Sequence, residues 1–160
     1  MLREDLKEFL DDSNRLCIVG IGNDFRGDDG LGPFVINGLS KSIENSEDIL
    51  LINAQSVPEN FTGKIRKFNP SHIVIIDAVL MDKKPGTIKL VQKEEISQVN
   101  ISTHAMSLSF FVKYLESDGP LNVIFIGIQP LSMDIDDKLS PIVYDSSKKL
   151  INLLKDLIKN

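Results

Sequence analysis

The sequence predicts one domain of the α/β class: a single three-layer α/β/α sandwich with a mixed, mostly parallel five-stranded sheet. The chain has 160 residues, which fits a single domain spanning 1–160. Four of the five predicted strands are continuous apolar runs, which is typical of parallel strands covered by helices on both faces. These runs alternate along the chain with segments whose apolar residues recur at helical spacing.

Apolar runs and turn residues place five strands and four helices along the chain. The strands are predicted at Leu16–Val19, Ile49–Ile52, Ile73–Ile76, Thr87–Val91 and Val123–Ile126. The helices are predicted at 2–11, 33–39, 105–116 and from Pro141 to the C-terminus. Ser140 is a favourable N-cap for the last helix, with Pro141 at its first position.

The fourth strand differs from the others, because its apolar residues partly alternate with polar ones. Only nine residues, 78–86, separate it from Asp77 at the end of the third strand. A crossover between parallel strands needs about a dozen residues or more. We therefore expect the fourth strand to be antiparallel and to lie near an edge of the sheet.

Composition and charge exclude several classes of protein. The net charge is −5, with 18 basic and 23 acidic residues, which argues against a general nucleic-acid-binding protein. No apolar run approaches the roughly 18 residues of a membrane-spanning helix, and the charged N-terminal decapeptide is not a signal peptide. The single cysteine excludes an internal disulfide framework and a cysteine-rich metal site. We expect a cytoplasmic protein that binds neither membranes nor nucleic acid.

Polar side chains follow several predicted strands at one edge of the sheet. Asp28 and Asp29 lie in the glycine-rich loop after the first strand, Asp77 ends the third strand, and His104 precedes the helix leading into the fifth. Because ligands bind beyond the carboxyl ends of parallel strands, we expect these groups to converge. Asp28 or Asp29, with Asp77 and His104, would form a three-ligand metal site with open coordination positions. Such ligands accommodate Ni, Zn, Fe or Mn.

Each of these residues also has a structural interpretation when taken alone. Asp28 and Asp29 could cap the helix that follows them, since aspartate is common at helix N-caps. Asp77 could cap a turn at the end of its strand, and His104 could be a structural or surface histidine. Only the convergence of these groups on one edge favours a metal site over these alternatives.

Four other features of the sequence have structural interpretations. Gly20 and Gly22 suggest a dinucleotide-binding loop, but Phe25 occupies the third glycine position and the loop is acidic. Cys17 lies within an apolar strand, which favours a buried core residue over a nucleophile.

His72 precedes the third strand at the opposite edge of the sheet, so we interpret it as structural. The acidic segment with Asp134, Asp136 and Asp137 is interpreted as a solvated loop, because it lacks the calcium-loop spacing.

Several short motifs follow one another in order along residues 16–130. They are Gly20-Ile21-Gly22-Asn23, Asp28-Asp29-Gly30-x-Gly32, Ile76-Asp77-Ala78 and Thr103-His104-x-Met106. As an ordered set they resemble the [NiFe]-hydrogenase maturation endopeptidase family. Two further segments are similar to the hydrogenase 3-type branch of that family: Ser56-x-Pro58-Glu59-Asn60 and Gly127-Ile128-Gln129-Pro130. Each motif is weak alone, but their order along the chain is specific.

The resemblance implies an endopeptidase that removes the C-terminal extension of a hydrogenase large-subunit precursor after nickel insertion. It also implies that Asp29, Asp77 and His104 contact nickel, and that this nickel is supplied by the precursor rather than held as a permanent cofactor. The partner would be the [NiFe]-hydrogenase large-subunit precursor.

The residues leave the chemistry open. A metal- or carboxylate-activated water could attack the scissile carbonyl, with Asp29 or Asp77 as the base. The sequence contains no Ser-His-Asp or Cys-His arrangement that would supply a conventional nucleophile. The main alternative is a non-enzymic nickel- or precursor-binding maturation chaperone that uses the same residues.

Overall fold

A computed structural model describes residues 1–96 and 105–159, apart from the side chains of 105–107 and 159. Its helices are α1 (Leu2–Leu10), α2 (Leu31–Ser40), α3 (Thr62–Phe68), α4 (Ala105–Leu115) and α5 (Pro141–Lys159). Its strands are β1 (Leu16–Ile21), β2 (Ile49–Gln55), β3 (His72–Ala78), β4 (Ile88–Gln92) and β5 (Asn122–Ile128). These elements confirm the predicted α/β class.

The five strands form one mixed sheet in the order β2-β1-β3-β5-β4. β1, β2, β3 and β5 pair in parallel, whereas β4 pairs antiparallel with β5 and ends the order. The predicted orientation and edge position of the fourth strand are therefore confirmed. The short connection from β3 left no room for a parallel crossover.

Helices cover both faces of the sheet, as a three-layer sandwich requires. One face packs Ile18, Val74 and Ile126 against α1, α2 and α5. The other face packs Val19 and Ile75, among others, against α3 and α4. All seven residues of β3 are buried, which explains why its sequence shows no alternation of apolar and polar residues.

The predictions missed α3 and placed several element ends one to three residues from where they lie; for example, β2 ends at Gln55 and not at Ile52. The helix Thr62–Phe68 has seven residues, and only Ile65 among them is buried. So short a segment does not produce a helical period of apolar residues. α2 begins at Leu31, before the predicted start at Pro33, because a 3₁₀ turn at Gly27–Gly30 leads directly into it.

Candidate functional site

Two carboxylates meet at the carboxyl edge of the parallel strands. β1 and β3 pair in register, with Gly20 opposite Ile76, so the segments that follow them emerge side by side. Asp77 is the next residue of β3, and Asp29 lies in the 3₁₀ turn after β1. Both are buried, and they are close enough for the charge of Asp29 to act on Asp77. The structure therefore brings together these two predicted site residues.

The Asp77 carboxyl is the electrostatically perturbed member of this pair. Complete burial raises its pKa well above the ordinary value, and the charge of Asp29 raises this pKa further. The backbone N–H of Ala78 donates to Asp77 Oδ1 at 2.7 Å, which partly opposes these effects. Burial beside a second carboxylate disfavours the ionised form of Asp77, so this group favours either a proton or a nearby cation.

Asp29 is positioned by its own loop. The backbone N–H of Asn23 donates to Asp29 Oδ2 at 3.0 Å. The other oxygen, Oδ1, is buried and accepts no hydrogen bond from any residue in the described ranges. A buried carboxylate oxygen without a donor is unusual, because desolvation without a partner costs about 1–3 kcal/mol or more. This oxygen suits a ligand that carries positive charge.

Asp28 has a different role, although it is adjacent to Asp29 and fully buried. Its Oδ2 accepts the backbone N–H groups of Leu131 at 2.8 Å and Ser132 at 3.1 Å. Its Oδ1 accepts the Ser140 N–H at 2.7 Å, and the Ser140 hydroxyl donates to both oxygens. Asp28 therefore joins the loop after β1 to the segment after β5, with its oxygens already occupied by donors.

The capping interpretation of Asp28 and Asp29 is wrong. Gly30 precedes the first residue of α2, and no side chain caps this end of the helix. A 3₁₀ turn with no side-chain cap, rather than an aspartate cap, introduces α2.

The glycines of this loop allow its backbone to pack directly against β1. A Cβ atom at Gly22 would lie 1.8 Å from the carbonyl oxygen of Asp29, and Gly22 has a φ of +148°. A Cβ at Gly20 would lie 2.3 Å from the carbonyl oxygen of Gly32. Close packing of the chain on itself accounts for these glycines without a bound dinucleotide.

His104, the third predicted ligand, lies outside the described residues. The next residue, Ala105, begins α4, which leads to β5. Within 1–96 and 105–159, no group of three or more histidine, cysteine, aspartate or glutamate side chains could hold a metal ion. The described part of the site therefore consists of Asp29 and Asp77.

The structural interpretations of Cys17 and His72 agree with their surroundings. Burial raises the pKa of the Cys17 thiol to about 12, so the nucleophilic thiolate is scarce at neutral pH. His72 begins β3 at the edge of the sheet opposite Asp77. Its Nδ1 lies 2.8 Å from Ser71 Oγ, and its Nε2 lies 3.0 Å from Asp12 Oδ1.

The acidic segment after β5 is exposed, as predicted, and pairs with the loop after β1. Asp134, Asp136 and Asp137 are all exposed. The N–H of Asp136 donates to the Phe25 carbonyl at 3.0 Å, and the N–H of Gly27 donates to the Asp136 carbonyl at 2.8 Å. This pairing, a short parallel bridge, was not visible in the sequence.

Gln129 is a positioning residue that the site prediction omitted. Its side chain is buried, and its Oε1 accepts the N–H of Met81 at 2.6 Å in the loop after β3. Its Nε2 donates to the Pro130 carbonyl at 3.3 Å. Its position directly after an apolar strand at the carboxyl edge was the available signal.

No helix in the described part of the chain is both long enough and apolar enough to cross a membrane.

Comparison with known proteins identifies the class of protein that carries this site. The family model described as HycI, hydrogenase maturation protease, matches residues 33–156. A putative hydrogenase maturation protease of Methanocaldococcus jannaschii is 38% identical over 164 residues, covering 99% of this chain and 96% of the relative. The hydrogenase 3 maturation protease of Escherichia coli K12 is 33% identical over 114 residues, covering 71% of each chain.

A solved structure agrees with these relatives. The crystal structure of a [NiFe] hydrogenase maturation protease HycI from Thermococcus kodakarensis KOD1 has a TM-score of 0.88 and 28% identity, covering 98% of this chain and 99% of that one. The fold and these relatives thus define a hydrolase of the α/β class. The chain belongs to the HycI family of hydrogenase maturation proteases.

Proposed function

We propose that this protein is an endopeptidase that removes the C-terminal extension of a nickel-loaded [NiFe]-hydrogenase large-subunit precursor. The observation that carries the proposal is the buried pair of Asp29 and Asp77 at the carboxyl edge, in a chain of the maturation protease family. Asp29, Asp77 and His104 are the proposed contacts to nickel, which belongs to the precursor and is therefore part of the substrate.

The chemistry of the two carboxylates supports a cation in the substrate. Burial and the charge of Asp29 penalise ionisation of Asp77, and a divalent cation beside both groups would offset that penalty. Asp29 Oδ1 has no donor within the described ranges and can accept such an ion. Imidazole is a good ligand for nickel, so His104 would complete an oxygen-and-nitrogen set.

The same two carboxylates are the proposed acid–base groups for peptide hydrolysis. An ionised carboxylate takes a proton from water as the water oxygen attacks the scissile carbonyl carbon. The carbon–nitrogen bond then breaks, and the departing nitrogen receives that proton as the new amine forms. Cys17 is not a candidate nucleophile, because it is buried within β1 and its pKa is raised to about 12.

The test compares nickel-loaded and nickel-free large-subunit precursor, each incubated with the purified protein. We expect mass spectrometry to show loss of the C-terminal extension from the nickel-loaded precursor only. Binding without any loss of mass would instead support a maturation chaperone. Equal processing of both precursors would contradict the role of nickel while leaving the endopeptidase activity intact.

Substitution of the two histidines tests the proposed ligand set. The chain has two histidines, so His72→Gln is a matched control for His104→Gln. We expect His104→Gln to lose processing by at least about 100-fold, in line with the loss of a ligand or catalytic group. His72→Gln should retain processing if circular dichroism shows that it folds. Full activity of His104→Gln would exclude this residue from the site.

A further inference from the structure

Exposed apolar side chains lie beside the site on the two paired loops. Phe25, Leu131 and Ile135 are 70%, 60% and 90% exposed. The bridge between Arg26 and Asp136 sets the register of the loops, so Phe25 and Ile135, each one residue earlier, are neighbours. Exposed apolar groups gathered in one place, with polar residues around them, mark surfaces that bind other proteins.

The same loops carry a net negative charge. Their exposed carboxylates are Asp24, Asp134, Asp136 and Asp137, and their exposed cations are Arg26 and Lys138. Asp28 and Asp29 add further acidic groups directly beneath this surface. A partner that binds here is therefore favoured if it carries basic side chains.

A recess continues this surface toward α2 and α5. A cavity of about 380 Å³ is bounded by Phe34 and Tyr144, whose ring centroids are 5.3 Å apart, together with Leu139. Asp24, Asp137 and Lys138 line the same cavity, so carboxylates outnumber the cation there. It can accept an apolar side chain from a bound polypeptide, with carboxylates beside it for a neighbouring cation.

We propose that residues 23–30 and 129–140 form a docking surface for an extended segment of the precursor polypeptide that carries apolar and basic side chains. This inference rests on the proposed function, because the proposed occupant of the surface is the protein substrate that Asp29 and Asp77 would act on. The surface is continuous with the site. The Asn23 N–H donates to the Asp29 carboxylate, and the Leu131 N–H donates to the Asp28 carboxylate. A precursor segment near its scissile bond therefore passes over these loops.

The test measures binding of purified full-length precursor separately from its cleavage. Binding is measured by surface plasmon resonance with Asp77→Asn as the common background, so that the precursor stays intact. We expect Phe25→Ala combined with Ile135→Ala to weaken binding about tenfold or more, as the loss of central apolar contacts does. With Asp77 restored, these substitutions should raise KM with little change in kcat. Phe110→Ala is the matched control, because Phe110 is 73% exposed but lies on α4 in the other helical layer.

A second pair of variants tests the charge. Asp24→Asn with Asp137→Asn should weaken binding and reduce its dependence on salt, because the attraction to basic side chains is screened by ions. Glu44→Gln with Glu47→Gln is the control, since both residues are exposed in the segment before β2, at the opposite edge of the sheet. Equal effects of both pairs would indicate that precursor binding depends only on the net charge of the protein, and this result would overturn the proposal.

The outcomes distinguish the docking surface from the proposed function. Cleavage by the wild-type protein with unchanged binding of the loop variants would overturn the docking surface but not the endopeptidase. Binding that depends on the loops without any cleavage would overturn the endopeptidase and keep the surface. Self-association of the protein through Phe25 and Ile135, seen by sedimentation and abolished by their substitution, would assign the surface to a second copy and contradict the proposal.

Discussion

The Asp28 carboxylate accepts the backbone N–H of Ser140 at 2.7 Å and also its hydroxyl hydrogen bond. These residues are 112 positions apart in the chain, and the contact fastens the loop after β1 to the start of α5. Asp28 is adjacent to Asp29, so the same contact also fixes the backbone that carries a proposed site residue.

Asp28→Asn tests this connection. An amide has one oxygen acceptor, and its NH₂ group would face the donors now bound by the second carboxylate oxygen. Leaving buried donors unpaired costs about 1–3 kcal/mol each, so we expect a loss of stability of about 2–4 kcal/mol. Thermal or urea unfolding measures this loss. Asp24→Asn, an exposed aspartate in the same loop, should change stability by less than about 0.5 kcal/mol.

Asp77→Asn should stabilise the protein at neutral pH while it abolishes processing. The pKa of Asp77 is higher in the folded protein than in the unfolded chain, because of burial and the charge of Asp29. The folded state therefore binds more protons between those two pKa values, and its stability falls as the pH rises through that interval. Asparagine does not titrate, so the variant does not lose stability as the pH rises through that interval.

The measurement is the melting temperature of both proteins from acidic to alkaline pH. We expect Asp77→Asn to gain stability over the wild type as pH rises from the ordinary aspartate range. A change of about 1 kcal/mol corresponds to about 2–4 °C for a chain of this size. A difference that does not vary with pH would contradict a raised pKa for Asp77.

Gly22→Ala should damage both stability and processing. A Cβ at this position would lie 1.8 Å from the Asp29 carbonyl oxygen, and the φ of +148° disfavours any side chain. We expect a melting temperature lower by several degrees and a large loss of processing, because the turn bearing Asp29 must move. Gly63→Ala is the control: nothing lies within 4 Å of its Cβ, and it lies in α3. It should be neutral or stabilising by up to about 1 kcal/mol.

Cys17→Ala should retain processing. The Cys17 side chain fills the core between the sheet and the α3–α4 layer, so its removal should cost about 1–2 kcal/mol of stability. Kinetics with nickel-loaded precursor, corrected for the folded fraction, provides the measurement. Loss of activity in a fully folded variant would indicate that Cys17 takes part in the reaction.

Much of the fold was predictable because burial leaves a clear pattern in the sequence. The apolar run that became β3 is buried along its full length, and the short connection to β4 allowed only an antiparallel strand. α3 was missed because a seven-residue helix with one buried side chain lacks periodicity. Pattern analysis is therefore reliable for long buried elements and weak for short exposed ones.

The site was predictable only in part. The rule that ligands gather at the carboxyl ends of parallel strands brought Asp29 and Asp77 together correctly. It could not distinguish Asp28 from Asp29, because the difference depends on donors from Leu131 and Ser140, far along the chain. The role of His104 as a ligand stays a prediction, because His104 lies outside the described residues.

The segment after β5 has a consequence for engineering substrate selectivity. Gln129 holds the loop after β3, while Leu131, Ser132 and Ser140 hold Asp28 in the loop after β1. Residues 133–138 between these attachments are mostly exposed. Asp136 within this stretch pairs with Phe25 and Gly27 through backbone atoms alone. A chimera that takes 133–138 from a relative with a loop of equal length should therefore keep this pairing and its scaffold while it acquires that relative's preference among precursors. Exchange of the whole segment risks dislodging both neighbouring loops.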